Sequence, residues 1–92
     1  MIRSTRVAKT GDVKVTFVLP RDEPQGPVSV VGDFNEWRPG KHVLAKRTNG
    51  TRSVSVTLPA ASKFRFRYLG ENGHWFDDEA VERDGDAGLL TT

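Results

Sequence analysis

Apolar residues in this chain recur at every second position. Val13, Val15, Phe17 and Leu19 are spaced this way, as are Val54, Val56 and Leu58. Phe64, Phe66 and Tyr68 repeat the pattern against Lys63, Arg65 and Arg67. A period of two puts successive side chains on opposite faces of an extended backbone, so each run has one apolar and one polar face. No window sustains the 3.6-residue period of an amphipathic helix. Pro20, Gly26-Pro27, Gly32, Asn49-Gly50, Pro59 and Asn72-Gly73 punctuate the runs. Asn49-Gly50 predicts a hairpin with a type I′ turn, in which both central residues take positive φ. Roughly six or seven short strands, with turn signals about every 8–12 residues, predict an all-β sandwich. A small OB-type barrel is the alternative architecture. The predicted core is Val15, Phe17, Val30, Val54, Val56, Phe64, Phe66 and Tyr68.

The chain has 92 residues, enough for one domain. A domain this small buries only about 60–65% of its unfolded surface, so its core is thin. It has no cysteine and only two histidines, His42 and His74. Disulfides and thiolate metal sites are excluded, and an imidazole-built metal centre is disfavoured. No metal or cofactor is expected. Residues 1–11 read as a flexible basic arm, residues 12–92 as a single β-sandwich domain, and 79–92 as a stretch of poor order. The basic N-terminus has no apolar stretch behind it, and no segment reads as a membrane span, so a cytoplasmic monomer is expected. The net charge of +2 is unevenly spread. Residues 1–70 hold 13 Lys and Arg against 5 Asp and Glu, a net of +8, whereas residues 71–92 hold one Arg against seven acids, a net of −6. Basic surface favours polyanions, but the acidic end opposes that field.

The aromatic residues outside the alternating runs carry the functional signal. Trp37 and Trp75 both lie in or beside loops, among polar neighbours. A flat indole at a surface can stack on the C–H face of a sugar ring, while a nearby Arg, Lys or Asn bonds its hydroxyls. Either indole could equally serve as a lid on a small core. The stretch Val31-Gly32-Asp33-Phe34-Asn35-Glu36-Trp37 ends an apolar run at a glycine and leads to Pro39. Within it, Asp33 and Asn35 read as residues that shape the loop aiming Trp37, because short polar side chains bond backbone amides in turns.

A strand ending in Gly-Asp/Ser-Phe-Asn-x-Trp resembles the start of the glycogen-binding domains of carbohydrate-binding module family 48. That family includes the early-set N-terminal domains of isoamylases and branching enzymes, and the β-subunit of AMP-activated protein kinase. The likeness covers roughly residues 13–78. Phe66-Arg67-Tyr68 stands where the kinase β-subunit has Tyr-Lys-Phe, and Gly73-His74-Trp75 matches the turn before its second tryptophan. The resemblance implies an immunoglobulin-like, early-set sandwich with Trp37, Arg67 and Trp75 as sugar-binding residues. It implies an α-1,4-linked glucan, or a glucan-metabolising enzyme, as partner. Two departures stand out. Arg67 replaces a lysine, exchanging a point donor for a planar fork. Residues 79–90 hold no asparagine where the family closes with a sugar-bonding one.

Catalysis is not expected. Glycoside hydrolysis needs two carboxylates held about 5–10 Å apart across the substrate. Asp77, Asp78 and Glu79 are adjacent, and neighbours on an extended segment point to opposite sides. No nucleophile motif of the Gly-x-Ser-x-Gly kind is present. The competing readings are a protein-interaction sandwich without sugar binding and a basic single-stranded nucleic-acid binder. For the latter, Lys63, Arg65 and Arg67 would supply the basic face, but the aromatics of that strand alternate away from it.

Overall fold

The structure, a computed structural model, describes residues 2–19, 26–78, 81–85 and 87–92. Most of the loop expected over 21–27, and residues 79, 80 and 86 of the expected tail, lie outside these. The described strands are β1 (Ile2–Arg6), β2 (Val13–Leu19), β3 (Ser29–Gly32), β4 (Ala45–Lys46), β5 (Arg52–Leu58), β6 (Lys63–Leu69), β7 (Trp75–Phe76), β8 (Arg83–Asp84) and β9 (Ala87–Thr91). They form two antiparallel sheets, one ordered β1-β2-β5-β4 and the other β3-β6-β9-β8, with β7 also paired to β6. The sandwich expected from the alternation is what forms.

Register follows the period-two pattern. Val15 faces Val56 and Phe17 faces Val54 across β2 and β5, while Val30 faces Tyr68 across β3 and β6. A one-residue slip would turn every one of these side chains into water, so the pattern fixes the pairing. Val15, Phe17, Val30, Phe66 and Tyr68 are buried, and Val54, Val56 and Phe64 pack against them from partly exposed positions. Phe17, Phe66 and Tyr68 meet at ring separations of 5.3–6.4 Å. The tilted and edge-on arrangements suit the ring quadrupoles.

Three expectations are corrected. The arm expected over residues 1–11 contains a strand: Ile2 to Arg6 pair with Phe17 to Val13, and Ile2 packs against the core. A single apolar residue among Arg, Ser and Thr leaves no alternation to read, yet the open edge of β2 supplies hydrogen-bond partners. The stretch 79–92 contains β9, which pairs with β6 through Phe64↔Leu90, with Ala87 and Leu90 buried. The glycine at 88 masks the strand in sequence while letting the Phe66 ring approach: a Cβ there would lie 3.1 Å from that ring. Finally, the Asn49-Gly50 turn joins β4 to β5 as expected, but only Gly50 takes positive φ, at 83°. The Gly50 amide bonds the Arg47 carbonyl (3.1 Å), and the Arg47 amide bonds that of Thr51 (2.8 Å), closing a three-residue loop. That loop replaces the two-residue type I′ turn.

Segment 42–46 crosses between the sheets. Its first part lies along β3, where the Val30 amide bonds the His42 carbonyl and the Leu44 amide bonds that of Val28, both at 2.9 Å. Ala45 and Lys46 then pair with β5 in the opposite sheet. Asn35, 1% exposed, ties this crossing to the end of β3. Its Oδ1 accepts from the Gly32 amide (2.9 Å), and its Nδ2 donates to the Val30 carbonyl and to His42 Nδ1, each at 3.0 Å. The first two bonds fix which end of the amide is which. His42 Nδ1 must therefore accept, and the neutral ring carries its proton on Nε2.

Two outcomes test this framework. Phe66→Ala should cost about 3–5 kcal/mol in urea unfolding, a large part of what so small a domain possesses. A loss below about 1 kcal/mol would mean that the Phe66 ring is not central to the core. Burial and the Lys41 charge hold the His42 pKa below its ordinary value. The unfolded chain therefore binds this proton more readily. The His42 contribution should be complete above about pH 6.5 and should fade as pH falls through the depressed folded value. Denaturation midpoints between pH 7.5 and 5 should fall more steeply for the wild type than for His42→Gln.

Candidate carbohydrate-binding face

The last residue of β3, Gly32, has a steric reason to be glycine. Its φ of −170° is ordinary extended backbone, but a Cβ there would lie 2.5 Å from the Arg65 carbonyl oxygen and 2.8 Å from the Phe34 ring. Residues Asp33–Asn35 then make one 3-10 turn. Phe34 turns into the sandwich, stacking on Phe17 at 5.7 Å and meeting Phe64 edge-on at 6.2 Å. With Phe34 and Asn35 both anchored inward, the next two residues must reverse the chain sharply. Glu36 and Trp37 both take left-handed backbone, with φ of 58° and 57°. Each such residue costs about 1–2 kcal/mol when it is not glycine. The Trp37 amide bonds the Gly32 carbonyl at 3.0 Å and holds the reversal in place.

Asp33 continues the ladder where β3 has stopped. Its Oδ2 accepts from the Arg65 amide (2.9 Å) on β6, in place of a backbone carbonyl. The same oxygen lies 3.5 Å from Arg65 Nε, and Oδ1 accepts from Trp37 Nε1 at 2.9 Å. Partial burial alone would push this carboxyl up. The hydrogen bonds from Arg65 and Trp37, with the Arg65 charge, outweigh it and hold the pKa below the usual carboxylate value.

On β6, Arg65 and Arg67 alternate with the buried Phe66 and Tyr68, so both project from the outer face of the sheet. Arg67 is held from two sides. Asp77 accepts from its Nε (3.0 Å) and Nη2 (3.4 Å), and its guanidinium carbon lies 5.4 Å from the centre of the Trp75 ring. That distance is within cation–π range. The Asp77 side chain is 11% exposed and also meets Arg83 at 3.5 Å. Burial, together with the charge of the next residue, Asp78, pushes the Tyr68 hydroxyl far above its ordinary pKa. Trp75 pairs with Leu69 on β7 and is 40% exposed, while Phe76 stacks inward on Tyr68 at 5.3 Å.

Arg67 and Trp75 thus form one contact pair. Trp37, half-buried, stands apart from them, joined to the same face of β6 through Asp33 and Arg65. Asp77 and Arg65 are the two members of this face to which the family resemblance assigns no sugar-binding role. Adjacent acids after a short strand carry no sequence signal distinguishing a buried clamp from solvated charge.

No protein-family model matches the chain. About half of it is similar to part of several 1,4-alpha-glucan branching enzymes. The identity is 42% over 53 residues with GlgB of Rhodopirellula baltica and 33% over 51 residues with GlgB of Thermosynechococcus vestitus. It is 33% over 55 residues with the branching enzyme of Solanum tuberosum. These matches cover 52–54% of this chain but only 6–7% of each enzyme's length. The chain is similar to a short region of α-glucan branching enzymes, far smaller than the enzymes themselves.

Proposed function

We propose that this chain is a non-catalytic α-glucan-binding module of the early-set, immunoglobulin-like type. It would belong with carbohydrate-binding module family 48, alongside the glycogen-binding domain of the kinase β-subunit. The observation that carries the reading is the exposed Trp75 indole beside a guanidinium fixed by Asp77, on the β6 face that also holds Trp37. The similarity to branching enzymes supports it by naming proteins that act on α-glucan.

Binding follows from the chemistry of that face. The pyranose C–H face stacks on the open side of Trp75. Arg67 spends Nε and Nη2 on Asp77, which leaves Nη1 to donate to a hydroxyl. Because the guanidinium is already locked, little side-chain entropy is lost when the sugar arrives. The platform is open, so affinity should be modest. The module contributes attachment, and the chemistry on the glucan belongs to an associated enzyme.

Titration with maltoheptaose should quench indole fluorescence with a Kd on the order of 0.1–10 mM. Trp75→Ala should abolish binding and Trp37→Ala should weaken it, while both variants keep the wild-type unfolding free energy within about 1 kcal/mol. A neutral ligand should bind almost equally at low and high salt. Steep loss with salt, together with binding of single-stranded nucleic acid, would favour the competing reading instead. The purified chain should release no sugar from maltooligosaccharides. Measurable hydrolysis or chain transfer would overturn the non-catalytic assignment. Wild-type protein that shows no response to maltoheptaose up to about 50 mM would favour a protein-interaction module.

A further inference from the structure

Arg65 occupies the gap between Trp37 and Arg67, and no role in sugar recognition follows for it from the resemblance. It lies two residues from Arg67 on the same strand face, about 6.8 Å along β6. Its backbone amide and Nε both point at Asp33 Oδ2, at 2.9 and 3.5 Å. Its side chain is 55% exposed. Among the described residues, Nη1 and Nη2 of Arg65 make no hydrogen bond or ion pair. A guanidinium with its Nε side turned toward a carboxylate, and with neither Nη group bonded, can act as a double donor. The carboxylate that steers it also bonds the Trp37 indole. One group therefore sets the positions of an aromatic surface and a neighbouring donor fork.

We propose that Arg65 is a further sugar-contacting residue, donating from Nη1 and Nη2 to glucan hydroxyls between the Trp37 and Arg67–Trp75 positions. The inference rests on the glucan reading and extends it. The site becomes a continuous diagonal, Trp75–Arg67–Arg65–Trp37, across β6 instead of two separate contacts. A continuous diagonal engages more than one or two sugar units, so it selects for chain length. Asp33 is the positioning residue of the arrangement and touches no ligand itself.

The test compares maltoheptaose with maltotriose by calorimetric or chemical-shift titration. Arg65→Ala should weaken maltoheptaose about three- to tenfold and leave maltotriose nearly unchanged, the loss expected for one or two exposed hydrogen bonds. Arg65→Lys keeps the charge and loses the fork, so it should recover only part of that affinity. In the wild type, the Arg65 Nε–H resonance should shift on adding maltoheptaose. The backbone bond to Asp33 survives every Arg65 variant, so unfolding midpoints should stay close to the wild type. If wild-type protein binds maltoheptaose and Arg65→Ala binds it equally well, the proposal fails and the glucan reading stands. Full recovery by Arg65→Lys would overturn the directed-fork role. If the wild type binds neither sugar, both the proposal and the glucan reading fail.

Discussion

The buried side-chain amide of Asn35 is the interaction on which the shape of this molecule turns. It bonds three groups from three parts of the chain: the end of β3, its middle, and the segment that crosses between the sheets. An amide buried to this extent would cost several kcal/mol if left unbonded, and its partners would share the loss. Because all its bonds are made, β3 can stop at Gly32, the chain can reverse through two left-handed residues, and Trp37 can be delivered to the outer face. The strain at Glu36 and Trp37 is sustained by this anchorage together with Phe34, which is packed among Phe17, Phe64 and His42.

The central strand β6 separates the packed core from the face proposed for recognition. Among the described residues, its inward Phe66 and Tyr68 are, with Phe17, the largest fully buried side chains. Its outward residues Arg65 and Arg67 carry the donors, each steered by one carboxylate. A strand suits this division, since alternate positions can change with little effect on the opposite face. The positioning is electrostatic on one side and steric on the other. Asp33 and Asp77 orient the guanidinia from outside, while the packed rings beneath keep the strand from yielding.

Much of this was legible in the sequence because a period of two leaves a clear trace. The runs 13–19, 53–58 and 63–69 gave both the strands and their inward faces. β1 and β9 leave no such trace, for opposite reasons: β1 holds too little apolar surface, and β9 hides its burial behind Gly88. Both are recruited by neighbouring edges and not by their own pattern. Within the candidate face, Trp37, Arg67 and Trp75 were suggested by motif, and the structure puts Arg67 against Trp75. The bridge from Asp33 to Arg65 joins residues 32 apart in sequence, and the Asp77 clamp depends on how β7 folds back onto β6. No local spacing encodes either contact.

The crossing segment at residues 42–46 has a mechanical consequence. By lying against β3 and then joining β5, it stitches one side of the sandwich shut and covers an edge of each sheet. The two layers cannot slide past each other without breaking hydrogen bonds in both. A pull applied to the outer face of β6 would thus load the two sheets in shear as a single body. A covered edge also offers no row of bare amides to a neighbouring chain, which limits strand-to-strand association on that side. A domain with so thin a core gains its resistance to deformation from connectivity as much as from packing.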